Sequence, residues 1–94
     1  MSNLYKEREI GEEAQRILGS EVWQEAWEAY RANILALIEG AKSNDTDSVM
    51  HLKRLLAAAT ACRGHLERLI KEGAVAVHSI ELEEKRGKLR KLFG

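Results

Sequence analysis

Cys62 and His65 are three residues apart, a spacing that on a helix sets a thiol and an imidazole on one face, where both could ligate a metal. A structural zinc site takes four ligands, and no CxxC or HxxxH supplies the remainder. His51 lies fourteen residues before His65, about 21 Å along a helix, and cannot join them. Cys62 also falls on an apolar repeat, where a free thiol behaves as a small hydrophobic side chain. The expectation is a core-filling Cys62, with no metal and no cofactor. Signatures of hydrolysis and phosphate handling are also missing: there is no GxSxG, no P-loop and no HExxH. Glu12-Glu13 and Glu83-Glu84 read as solvated faces rather than acid–base pairs. His78 has no recognisable nucleophile with a supporting orienter nearby. No catalytic residue is assigned, and a non-enzymatic protein is expected.

Two further groups could bind rather than react. Trp23, Trp27 and Tyr30 form an aromatic stripe at heptad spacing. As stacking platforms they would suit single-stranded nucleic acid, but Glu21, Glu25 and Glu28 beside them would repel a phosphate backbone. Anchors in a buried contact are the better reading. The second group is the basic run Lys85, Arg86, Lys88, Arg90 and Lys91, interleaved with Leu89, Leu92 and Phe93. It could grip phosphates, dock in a protein groove as an amphipathic helix, or serve as a solubilising tail. A DNA-reading helix-turn-helix is disfavoured, because the Ala-rich third helix offers few base-reading side chains.

The elements that must position these groups are helical throughout. Pro is absent and 32% of residues are charged, which points to long helices. Ile10, Ala14, Ile17 and Leu18 give a first segment over about residues 3–18 a helical face, weakened at Gly11 by about 1 kcal/mol relative to Ala. Gly19-Ser20 then supplies a stop and a new N-cap. Trp23, Trp27, Tyr30, Ile34, Leu37 and Ala41 follow a heptad seam up to Gly40 and Lys42. The run from Ser43 to Ser48 is a polar loop that competes with helix through side-chain to backbone bonds. Leu52, Leu55, Ala59, Cys62, Leu66 and Leu69 carry a third seam, expected to span Thr46 to Glu72.

Two facing seams joined by a short loop predict an all-α fold: an antiparallel helical hairpin with a preceding short helix and a C-terminal basic arm. The hairpin and its N-terminal helix occupy residues 1–73, and residues 74–94 form the arm. Trp23, Trp27, Tyr30, Ile34, Leu37, Leu52, Leu55, Ala59, Leu66 and Leu69 are the expected hairpin or oligomer interface. After Gly73 the periodicity degrades, and Ala74-Val75-Ala76-Val77 suits a helix or an extended stretch equally. The arm is expected to pack on another assembly protein or stay partly mobile.

Composition narrows the class. Ninety-four residues make one small domain, and fifteen Lys+Arg against fifteen Asp+Glu leave no bulk field toward nucleic acid or membrane. The neutral total hides a polarity. Residues 1–40 carry eight Glu against four basic residues, whereas residues 51–73 carry five basic residues against two Glu. One cysteine excludes an intrachain disulfide framework and fits a reducing compartment. No run approaches a membrane span, and the charged N-terminus does not suit a signal peptide, so a cytoplasmic setting without membrane contact is expected. A core this small, with apolar faces wider than one seam, predicts a homo-oligomer.

The layout resembles small helical proteins of the head-assembly and DNA-packaging modules of tailed phages and prophages. The resemblance is carried by the charged N-terminal helix, the helix EVWQEAWEAYRANILALIEGAK, the loop SNDTDS, the Ala/Leu-rich LKRLLAAATACRGHLERLIKEG and the basic ending LRKLFG. It implies a structural or adaptor role in head assembly or genome packaging, in the host cytoplasm or the virion. The alternative it implies is a small terminase-like subunit contacting nucleic acid through the basic arm.

Overall fold

A computed structural model describes residues 3–93 and shows an all-helical chain of three helices. Helix α1 spans Leu4–Gly19, α2 spans Glu21–Gly40 and α3 spans Thr46–Phe93.

Side-chain caps set the boundaries. Asn3 Oδ1 accepts the Tyr5 and Lys6 backbone N–H groups at 3.1 and 3.3 Å, satisfying donors that the first turn of α1 leaves open. Ser20 serves two helices at once. Its hydroxyl donates to the Ile17 carbonyl of α1 at 2.9 Å and accepts the Trp23 N–H of α2 at 3.2 Å. With ψ at 141°, Ser20 is extended, and that single residue separates the two helices. No described glycine has positive φ, so Gly19 does not provide the left-handed cap its position suggested. Helix α2 closes on Ala41, whose N–H reaches the Ile38 carbonyl at 3.2 Å. Asp45 then opens α3, its Oδ1 accepting the Ser48 N–H at 3.2 Å.

Helix α3 corrects an expectation. It runs 48 residues without interruption, through Gly73 and on to Phe93, rather than ending at Glu72. A helical glycine costs only about 1 kcal/mol, and here the absent side chain is what allows another backbone to approach. Ala76 and Ile80, on the same face, are buried with it. Packing on that face continues the helix where local propensity was indifferent.

The chain forms two compact units, each containing part of α3. The unit of residues 17–65 holds α2 and the first part of α3, with Ile34 buried and Trp23, Trp27, Ile38, Leu52, Leu56 and Ala59 half-buried. The unit of residues 3–16 and 66–93 buries Gly11 and Ala14 of α1 with Gly73, Ala76 and Ile80 of α3. A Cβ built on Gly11 would lie 2.8 Å from the Gly73 Cα, so the two backbones are in direct contact.

The buried positions drift off the expected seams. Ile38 is the half-buried residue after Ile34, while Leu37 is 57% exposed. On α3 the buried side passes through Leu56 and Arg63, leaving Leu55 and Cys62 exposed. The shift is of one residue at the second apolar position of each heptad, while Leu52, Ala59 and Leu66 keep the expected seven-residue spacing. Cys62 is thus a surface thiol rather than core filler.

Candidate interaction surface

The α2 side of the 17–65 unit carries the aromatic pair. Trp23 and Trp27 are one turn apart, and their rings stack with centroids 6.2 Å apart and 15° between planes. The Arg63 guanidinium covers the Trp27 ring at 5.1 Å from its centroid. A cation over an indole face is held by the ring quadrupole, more strongly as water is excluded. Leu18, Trp23, Gln24, Trp27, Glu28 and Arg63 line a shallow recess of about 240 Å³ here. Gln24 Nε2 donates to the Leu18 carbonyl across it at 3.4 Å. Tyr30, expected beside the two tryptophans, is exposed.

A larger open recess of about 510 Å³ lies where α2 gives way to α3, lined by Leu37, Ala41, Asp47, Ser48, His51 and Leu52. Its walls are mainly apolar, and His51 and Asp47 are its titratable groups. Cys62, His65 and His78 are exposed, and among the described residues no three of His, Cys, Asp and Glu converge on one point. No helix among the described residues is long and apolar enough to cross a membrane.

The expected interface residues separate into two sets. Trp23, Trp27, Ile34, Leu52, Ala59, Leu66 and Leu69 are buried or half-buried within the chain, whereas Tyr30, Leu37 and Leu55 face outward. The basic residues Lys85, Arg86, Lys88, Arg90 and Lys91 are all exposed, on the last turns of α3. They share those turns with Leu82, Leu89, Leu92 and Phe93, which are exposed as well.

Surface ion pairs follow helical spacing, Arg8 with Glu12 at 4.0 Å and Arg68 with Glu72 at 3.8 Å. Arg16 pairs with Glu13, whose hydrogen bond and negative charge raise the guanidinium pKa, helped by Glu12 and opposed by slight desolvation. Raised from an already high value, Arg16 stays charged throughout the physiological range.

The glycine contact between α1 and α3 was missed from sequence. Its only trace there is the pattern Gly11-x-x-Ala14 matched by Gly73-x-x-Ala76, small residues one turn apart on two helices. Against protein-family models, curated proteins and solved structures alike, the chain has no match.

Proposed function

We propose that this protein is a non-enzymatic, self-associating helical adaptor. The observation that carries the reading is the mismatch between its core and its surface. Among the described residues, only Ala14, Ile34, Ala76 and Ile80 form a buried hydrophobic core, while fifteen large apolar side chains are exposed. The accessible surface is 7672 Å², where a compact monomer of this mass would show about 5,500 Å². The difference, about 2,200 Å² on one chain, exceeds the roughly 800 Å² per partner that a standard interface buries.

The hairpin belongs to the same proposal. In it, α2 and the first part of α3 run antiparallel about the loop at residues 42–45. Two contacts favour that direction: Leu37 and Ala41 share a recess with Asp47 and Ser48 beside the loop, and Trp27 meets Arg63 farther along both helices. A place in phage-type head assembly or genome packaging is supported by the sequence resemblance alone. Absolute mass by light scattering, measured over a range of concentrations, tests the central point. A defined oligomer is expected; a monomer at every concentration would end the proposal.

A second reading is favoured by one observation, the cluster of five exposed basic side chains on the final turns of α3. Under it the protein contacts nucleic acid phosphates as a packaging subunit. Its affinity for duplex DNA would then fall steeply with salt and vanish on deletion of residues 85–94. No binding at low salt would exclude it.

A further inference from the structure

Beyond Ile80, every described residue of α3 is exposed, so the helix from Glu81 to Phe93 is left uncovered by the other described residues. These turns are not uniformly polar. Leu82 and Leu89 are seven residues apart, 43% and 53% exposed, in phase with exposed Val75 one heptad earlier and followed by Phe93 at 85%. At 100° per residue this stripe lies on the far side of α3 from Gly73, Ala76 and Ile80. The helix therefore has two apolar faces, one packed within the chain and one bare.

We infer that the bare face pairs with the same face of a second copy, antiparallel, with Leu82 of one copy opposite Leu89 of the other. The inference rests on the self-association proposed above and specifies its surface and direction. Charge decides both partner and direction. The stripe is flanked by Glu81 and Glu83 at one end and by Lys88 and Arg90 at the other, each acid seven residues before a base on the same edge. An antiparallel pair brings together the same edges of its two helices. With the leucines opposed, Glu81 then falls beside Lys88 of the second copy, and Glu83 beside its Arg90. A parallel pair would instead crowd the five basic residues of each copy, Lys85 to Lys91, against those of the other. The self-complementary arrangement is isologous, with one two-fold axis near residues 85–86.

Lys85 and Arg86 both lie beside the stripe at the two-fold axis, level with Arg86 and Lys85 of the second copy, and their aliphatic stems can cover the leucines while the charged heads splay apart to water. The overlap is about 16 residues per copy, or ~24 Å of helix. That is short for a stable dimer, so this contact is expected to be concentration-dependent and to coexist with others in a larger assembly.

The test uses the full chain with Cys62→Ser, so that introduced thiols are the only ones. Glu81→Cys and Lys88→Cys are made separately, and disulfide formation is followed in each sample and in their mixture, beside light-scattering mass. In the antiparallel pair, position 81 meets 88 within about 3 Å along the axis, whereas two copies of position 81 are offset by ~13 Å and two of position 88 by ~8 Å. Disulfides require Cα atoms within about 7 Å. The expected result is crosslinking in the mixture alone, with Leu82→Asp weakening self-association by roughly tenfold or more. Crosslinking within either single-variant sample would overturn the antiparallel arrangement. An oligomer that crosslinks in no sample would overturn this contact while leaving self-association intact, and a monomer would overturn both.

Discussion

Gly11 of α1 and Gly73 of α3 meet backbone to backbone: a Cβ on Gly73 would lie 2.9 Å from the Gly11 Cα and 3.2 Å from the Glu7 carbonyl oxygen. The reverse substitution is at least as crowded, with the Leu69 carbonyl 3.0 Å from a Cβ on Gly11. Neither neighbour is a flexible side-chain tip that could yield. Ala14 and Ala76, one turn further along each helix, are buried in the same unit and keep the approach close. The core of this unit is consequently built from small residues, with Ile80 its largest buried member.

Glycine-to-alanine substitutions should therefore have opposite signs at different sites along α1 and α3. Gly11→Ala and Gly73→Ala force the helices apart and should destabilise the fold by about 1–3 kcal/mol, even after the gain in helix propensity. At Gly64 and Gly87 an added Cβ meets nothing within 4 Å. Alanine there should be neutral or stabilising by up to about 1 kcal/mol. Urea unfolding of the four variants measures this, and equal behaviour of all four would refute the close contact.

The indole stack predicts a spectroscopic signature. Rings 6.2 Å apart and nearly coplanar in orientation should couple as excitons in ultraviolet circular dichroism. Trp23→Phe or Trp27→Phe should each abolish that couplet. The cation–π contact between Arg63 and Trp27 should contribute about 0.5–2 kcal/mol. A double-mutant cycle with Arg63→Gln and Trp27→Leu isolates that coupling, and a value near zero would rule it out.

Cys62 should react as a surface group. The thiol is exposed, so Ellman's reagent should label it completely in native buffer at low protein concentration, with no denaturant. Labelling that required unfolding would show that the thiol is buried after all. Labelling that slowed as concentration rose would instead place Cys62 near a contact between copies.

Asp45 caps the start of α3 through the bond its Oδ1 accepts from the Ser48 N–H. Asp45→Ala should cost about 0.5–2 kcal/mol, and Asp45→Asn, which keeps the acceptor, much less. Thermal unfolding compares the two. Equal losses would show that the cap acts through charge at the helix start and not through its hydrogen bond.

Helical class was legible in the sequence because it depends on local terms: no proline, strong helix formers, a polar cap at Ser20 and a polar loop over residues 43–48. The stripe of Trp23, Trp27 and Ile34 was equally legible, since packing on one side of a helix imposes a period that survives in the residue order. What failed was local in form but tertiary in cause. Leu37, Leu55 and Cys62 suited a strict heptad, yet the packed face of each helix takes in the neighbouring Ile38, Leu56 and Arg63, half-buried, in their place. Gly73 has the composition of a helix end, and only the approach of Gly11, 62 positions earlier in the chain, converts it into a packing site. Ile80 and Leu82 likewise form no single stripe in the sequence, because they belong to opposite faces of one helix. Residue order records how often apolar side chains recur. Which of two faces meets a partner, and how closely, is decided by sterics and burial between segments far apart in the chain.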